Sequence, residues 1–338
     1  MSFNVAIIGA GLIGRKRALA LKGIQEAKLK VIVDVVPERA ESLAREFDCN
    51  WGTDWQEVIS RNDIDIVIVA TVNKYLAEIT IRSFENKKHV LCEKPLGRNV
   101  EESLKILKAS IENKVILKVG FNHRFHPAIE KAKGIVDKGE IGKIMFLRCR
   151  YGHGGRPGYE REWRADKELC GGGELLDQGV HVVDLFRWFA GEYDEVLGCI
   201  STFFWKMKVE DNAFTFFKRK DGLIATMHTS WTQWKNLFSF EIFGKKGYLI
   251  INGLGGSYGK EVLEIGRRKE EGGIPEEKII EFESDDISWQ KELIEFFAAI
   301  KERREPIGSG YDGYKVNLMI EAVYKSAKES RWIKIKNE

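Results

Sequence analysis

Close to its start the chain runs four apolar residues into a tightly spaced set of glycines: Val5-Ala6-Ile7-Ile8-Gly9-Ala10-Gly11-Leu12-Ile13-Gly14, followed at once by Arg15-Lys16-Arg17. A buried strand, a tight turn and a helix N-terminus fit that order. Gly9 suits the turn, Gly11 lets a ligand approach the backbone, and Gly14 lets helix and strand pack closely; the helix start at Leu12 and Ile13 offers unpaired N–H groups to a phosphate. Ordinary strand–turn–helix units with incidental glycines show the same pattern. The next apolar strand, Leu29 to Val33, bears on that choice, because it ends at Asp34, twenty residues past Gly14, where an acid can hold the ribose hydroxyls of a dinucleotide. Such an acid repels a 2′-phosphate. Val35 and Val36 bring no cation, and Arg39 lies beyond Pro37, the expected start of the next helix. NAD(H) is therefore expected over NADP(H), around Gly9, Gly11, Leu12, Ile13, Gly14, Asp34 and Arg39.

With 338 residues, 43% of them hydrophobic, the chain has material for two cored domains. Its 54 Lys and Arg nearly balance 51 Asp and Glu, and no block of one sign stands out, so neither nucleic acid nor membrane is an expected partner. A small molecule is. Cys49, Cys92, Cys149, Cys170 and Cys199 have no paired metal spacing and read as reduced thiols, so no metal is expected. Met1-Ser2-Phe3-Asn4 leads into the first strand without a charged, apolar leader, which fits a cytoplasmic protein.

Strand and helix patterns alternate through the first third: strands at Leu29–Val33, Asp65–Ala70, His89–Cys92 and Ile116–Phe121, with helix caps expected at Thr53 with Gln56 and at Asn99 with Glu102. That alternation implies an α/β fold with a doubly wound parallel sheet. In such a sheet ligands bind beyond the carboxyl ends of the strands, which gathers Thr71, Glu93, Lys94, Asn122 and His123 at the edge holding the glycine turn. From residue 123 onward the strands read as an α+β domain with an open, mostly antiparallel sheet, the last long one running from Lys278 to Glu283. Helices at Gly173–Ala190 and Trp289–Arg304 are expected to cover it. The domains are then 1–122 and 123–338. Surplus aromatics, among them Phe203, Phe204, Phe216, Phe217, Trp231 and Trp234, fit either core or a second subunit.

Three places could carry chemistry. Lys94, between Glu93 and Pro95, ends a buried strand at the cofactor edge, where a nicotinamide's positive charge would tune a lysine toward proton transfer; it could equally be a solvated surface lysine. Gly171-Gly172-Gly173 opens a helix on which Asp177, His181 and Asp184 share one face. A carboxylate beside an imidazole suits a general base, although a plain helix-surface pair or half a metal site would look alike. The stretch from Arg150 to Arg164, with Tyr151, His153, Arg156 and Trp163, could cradle an anion or a sugar ring, or be a surface loop whose arginines meet Glu160, Glu162 and Asp166.

In this order, Gly9-x-Gly11-x-x-Gly14, Asp34, Glu93-Lys94-Pro95, Gly120-Phe121-Asn122-His123-Arg124-Phe125 and Asp177-x-x-x-His181 resemble the Gfo/Idh/MocA family of NAD(P)-dependent oxidoreductases along essentially the whole chain. The resemblance implies an N-terminal Rossmann domain and a C-terminal sheet domain that usually forms the interface of a homodimer or homotetramer. It implies a sugar, cyclitol or sugar-derivative substrate, free, phosphorylated or nucleotide-linked. By the same resemblance, Lys94 is the catalytic lysine, Asp177 the substrate-orienting acid and His181 the acid/base, with Glu93 beside the cofactor. Asn122, His123, Arg124, Tyr151, His153, Arg156, Trp163 and Arg164 are the candidate substrate contacts. Some nucleotide-sugar members carry asparagine where this chain has Asp177, which favours a free sugar or polyol. The expected activity is hydride exchange between NAD(H) and a secondary alcohol; an NAD-retaining glycosidase and a non-catalytic sugar sensor on the same fold are the alternatives.

Overall fold

The computed structural model describes residues 2–282 and 286–336. Its chain divides into two compact units, one of residues 1–122 and 289–317, the other of 123–288 and 318–338.

In the first unit β1 (Phe3–Ile8), β2 (Ala27–Val33), β3 (Asn50–Gly52), β4 (Ile66–Val69), β5 (His89–Cys92) and β6 (Leu117–Val119) alternate with α1 (Leu12–Leu21), α2 (Pro37–Glu46), α3 (Trp55–Ser60), α4 (Asn73–Glu85) and α5 (Val100–Asn113). Among the described residues these six strands form one wholly parallel sheet in the order β3-β2-β1-β4-β5-β6. Every residue of β4 is buried, as a strand covered on both faces requires. The strand order reverses between β1 and β4, so the turns after β1, β2, β4, β5 and β6 open on the edge where such sheets take ligands. Asn99 caps α5 by accepting the Glu102 N–H at 2.9 Å. For α3 the cap is Asp54, not Thr53: its carboxylate accepts the Gln56 N–H at 2.8 Å, because Asp54 is the last extended residue before the helix.

The second unit begins with α6 (Pro127–Asp137), β7 (Ile144–Gly152) and a short α7 (Lys167–Cys170), then reaches a π-helical stretch, Leu175–Gly179, that runs straight into α8 (Val180–Ala190). Strands β8 (Glu195–Ser201), β9 (Asn212–Lys218), β10 (Ile224–Ser230), β11 (Leu237–Gly244), β12 (Gly247–Asn252), β13 (Glu261–Arg267), β14 (Glu276–Phe282) and β15 (Ile333–Lys334) complete it. The sheet order is β14-β13-β12-β11-β7-β10-β9-β8-β15. Among the described residues its ladders are antiparallel except β7 with β10, which is parallel: the excursion through α8 returns the chain in β8 along the direction of β7, and two reversals through β9 then lay β10 beside β7. One face alternates inward, with Leu147, Cys149 and Tyr151 of β7 and Phe238, Phe240 and Ile242 of β11 buried. Phe186 of α8 packs on it, 5.8 Å from the Phe240 ring and 6.2 Å from Phe217. Glu283, the end of an expected strand, lies outside the described residues.

Two expectations are corrected by α9 (Ser288–Glu302). Its apolar stripe, Trp289, Leu293, Phe296, Phe297 and Ile300, packs with Val5, Ile7, Ala18 and Leu21 of the first unit. The first unit is therefore discontinuous in sequence, rather than ending at 122, and the 289–304 helix covers the parallel sheet instead of the antiparallel one. The following helix, α10 (Gly310–Glu329), has its first eight residues in the first unit and the rest in the second.

Candidate active site

The glycine turn has the shape a dinucleotide floor needs. Gly9 sits at φ +108°, and a Cβ there would meet the Ala70 carbonyl oxygen at 2.3 Å; a Cβ on Gly14 would meet the Gly9 carbonyl oxygen at 1.8 Å. A Cβ on Gly11 would meet nothing within 4 Å, so this glycine borders open space at the uncapped N-terminus of α1. The start of α1, with Leu12 exposed and Ile13 half-buried, has no side-chain cap and thus offers its N–H groups, a fit for a pyrophosphate. Asp34 accepts the Ala10 N–H at 2.8 Å and the Val36 N–H at 3.0 Å, one on each carboxylate oxygen. Its remaining lone pairs suit ribose hydroxyls and its charge disfavours a 2′-phosphate. Arg39 is exposed on α2, and Thr71 follows β4, its hydroxyl on the Val72 carbonyl at 3.3 Å.

Beneath Lys94 lies a buried ion network. Arg17 of α1, with no exposed surface, donates its Nε to Glu93 at 2.7 Å and its Nη1 to the fully buried Glu292 of α9, while the Trp289 ring covers the guanidinium at 4.5 Å. Lys118 of β6, also fully buried, pairs with Glu295 at 2.5 Å. The Glu93 carboxylate is therefore held by Arg17, and Gly120 leaves room for both: a Cβ there would lie 2.7 Å from Glu93 and 2.8 Å from Arg17. Two sequence-distant helices are thereby clamped to the turn that presents Lys94.

The second unit gathers its polar side chains around the π-helical stretch. Where the sequence implies a regular helix from Gly173, the i→i+5 bonding of the π-helical stretch widens the turn that carries Asp177, and such stretches recur at functional sites. Asp177 accepts the Arg164 Nε at 3.1 Å. His181 is buried with its ring stacked on His123, centroids 3.8 Å apart at 17°. His123 Nε2 in turn lies 3.1 Å from the Tyr151 hydroxyl, and Tyr151 packs 5.3 Å from the Tyr258 ring, whose hydroxyl accepts the Gln178 amide at 2.8 Å. Burial pushes Tyr151 well above the usual phenol range and Tyr258 up to about 12, so both hydroxyls keep their protons. His153 accepts the Gly155 N–H at 2.9 Å, and burial lowers its pKa although Asp177 pulls the other way.

The other candidates have structural partners. Arg124 makes a two-pronged pair with Asp184 at 2.8 and 2.5 Å, under the Trp188 ring, so Asp184 holds an arginine. Asn122 starts the 3₁₀ turn that delivers His123. In the loop after β7, exposed Arg156 pairs with Glu162 at 2.7 Å, and Arg164 lies 4.5 Å over the Trp163 ring. Tyr159 pins that loop into a cluster with Cys170, Val209 and Trp231. Gln178, Tyr258, Glu210 and Tyr324 also bond around the π-helical stretch; Gln178 lies within the glycine-led motif of residues 171–184, whereas the others carry no local signal in the sequence. All five cysteines are free. No helix among the described residues is long and apolar enough to cross a membrane.

A parallel sheet with this glycine turn and acid defines a dinucleotide-binding protein. Residues 3–121 match the oxidoreductase family with an NAD-binding Rossmann fold, and residues 129–250 match the GFO/IDH/MocA C-terminal domain; the chain belongs to that family. It is 28% identical to a levoglucosan dehydrogenase of Pseudarthrobacter phenanthrenivorans, covering 99% of this chain and 98% of that one. It is 31% identical to the scyllo-inositol 2-dehydrogenase (NAD(+)) of Bacillus subtilis over 74% of this chain and 73% of the relative. The solved complex of levoglucosan dehydrogenase with NADH and levoglucosan superposes with a TM-score of 0.92 at 27% identity, over the whole of both chains.

Proposed function

We propose that the protein is an NAD(H)-dependent dehydrogenase or ketoreductase that exchanges hydride with a secondary alcohol of a sugar, anhydrosugar or cyclitol. The reading is supported by the presence in the chain of Lys94, Asp177 and His181, residues of the kinds that handle a proton, on a fold whose glycine turn and Asp34 suit NAD. Bound NAD would supply the hydride acceptor. The Leu12 and Ile13 N–H groups hold the pyrophosphate and Asp34 the ribose. His181, its ring fixed against His123, takes the hydroxyl proton during oxidation and returns it during reduction. Lys94 stabilises the developing alkoxide, and Asp177, kept in place by Arg164, orients the substrate. Arg156 and Arg164 each already face a carboxylate, which favours an uncharged polyol over a phosphorylated or nucleotide-linked one.

The solvent face of the second sheet carries Phe216 at 50% and Ile224 at 41% exposure, with Phe214 stacked on His228 at 4.0 Å; this apolar area supports a homodimer or homotetramer built on that face. Free thiols throughout support a cytoplasmic setting. The test is NADH formation from NAD across inositols, free sugars, anhydrosugars, sugar phosphates and nucleotide sugars, with NADP beside it. NAD-linked turnover of an uncharged polyol is expected. Cleavage of a glycoside without net NADH, or NAD binding with no turnover of any compound, would overturn the assignment.

A further inference from the structure

The Asp177 turn has an anchor far away in sequence. Glu210, only 7% exposed, lies between β8 and β9, yet one of its carboxylate oxygens accepts the Gly173 N–H at 3.0 Å and the Leu175 N–H at 3.1 Å. The same oxygen accepts the Tyr324 hydroxyl of α10 at 2.8 Å, and the Glu210 carbonyl accepts the Glu174 N–H at 3.0 Å. Three consecutive amides are thus fastened to one residue. They are donors that a helix start normally leaves to a neighbouring cap, and Glu174 at the cap position supplies no side-chain bond of that kind. The Gly173 carbonyl next accepts the Asp177 N–H at 2.9 Å, so the backbone of the candidate substrate-orienting acid hangs directly on the anchored residue.

The close approach also explains the glycines. A Cβ on Gly172 would lie 2.2 Å from the Tyr324 hydroxyl oxygen, and one on Gly173 would lie 2.0 Å from the Glu210 carbonyl oxygen. No side chain fits between turn and anchor. Burial raises the Glu210 carboxyl while the three donors oppose that shift by favouring its charged form. A buried carboxylate is an expensive cap, and an apolar residue would serve packing alone.

We propose that Glu210 and Tyr324 are positioning residues for the hydride-transfer chemistry, fixing the Gly173–Leu175 backbone and, through it, the π-helical stretch that sets Asp177 and leads to His181. This rests on the function proposed above. Glu210 and Tyr324 belong to the second unit, whereas the glycine turn and Asp34 belong to the first. Their loss therefore moves substrate parameters and leaves cofactor affinity alone.

The experiment uses the full chain with Glu210→Leu, Glu210→Gln and Tyr324→Phe. Each is measured for NADH affinity by calorimetry, for kcat and KM on the best substrate of the panel, and for amide hydrogen exchange in the peptide spanning 171–181. Loss of two or three bonds to a charged acceptor predicts a roughly 10- to 100-fold fall in kcat/KM for Glu210→Leu, with faster exchange in that peptide and NADH affinity within about twofold of the parent. Glu210→Gln keeps an acceptor oxygen and should restore most of both properties. Tyr324→Phe, which removes one donor and no cap, should fall between and guards against Glu210→Leu failing to fold. Parent-like exchange at 171–181 in both Glu210→Leu and Tyr324→Phe would overturn the proposal, as would a fall in kcat/KM that Gln does not rescue. If no panel compound turns over in the parent, the proposed function fails while the exchange arm still decides the anchor.

Discussion

Replacing Arg17 with Met tests the buried network under Lys94 and yields a number. Arg17 and Glu292 are both fully buried, and the substitution keeps the apolar stem against Trp289 while deleting the cation that faces Glu93 and Glu292. Removing one partner of a buried pair leaves uncompensated charge and costs about 3–5 kcal/mol. The loss must also depend on pH. Burial already raises the Glu292 carboxyl, with Arg17 and then Lys118 opposing that shift. Without Arg17 its folded-state pKa climbs further above the unfolded value of about 4.3. A carboxyl that binds its proton more tightly in the folded state loses stability as pH rises, by up to about 1.4 kcal/mol per unit until the folded pKa is passed. Urea denaturation at pH 5 and pH 8 should therefore show the larger deficit at pH 8. Arg17→Met with Glu292→Leu should recover part of the loss, since an apolar pair is better than an orphaned carboxylate. The reasoning is refuted by a variant within about 0.5 kcal/mol of the parent, a typical neutral surface change. An equal loss at both pH values refutes it too.

Other predictions follow from the same geometry. His181→Ala and Lys94→Ala should each cut kcat by roughly 100-fold or more, the range of lost acid–base catalysis, with NADH affinity by calorimetry near that of the parent; a loss of cofactor binding in either would remove its proposed role. Asp34→Ala strands the Ala10 and Val36 N–H groups and removes the ribose acceptor, so NAD affinity should fall by roughly tenfold or more while NADP becomes comparatively better; unchanged NAD preference would count against Asp34 as the discriminator. Burial lowers the pKa of His89, His153 and His228, so the folded state binds fewer protons than the unfolded one. Their contribution to stability is complete above the unfolded value of about 6.5 and is lost as pH falls below it; chemical shifts of these rings that titrate at ordinary values would contradict this.

Local pattern and period suffice for those features whose requirements lie within a few neighbouring residues. The glycine spacing of residues 9–14, the all-apolar strand Ile66–Val69 and the acid at Asp34 specify a parallel sheet with a dinucleotide edge, because each requirement is met within a few residues. In the second sheet alternation shows the mostly antiparallel strands, the last long one expected at Lys278–Glu283 and found at Glu276–Phe282. Whatever depends on a distant partner emerges only once the chain is folded. The Trp289–Ile300 stripe announces a buried helix face but not which sheet it buries against, so the return of α9 to the first unit was invisible. Nothing local in the sequence pairs Arg124 with Asp184, which lies sixty residues away and takes both prongs of its guanidinium. The regular helix expected from Gly173 becomes a π-helical stretch where Glu210 and Tyr324, well over thirty residues further along the chain, supply the anchor. Hydrogen bonds and ion pairs between remote residues leave no period in the chain, so only the folded arrangement shows which polar groups are already spent and which remain for chemistry.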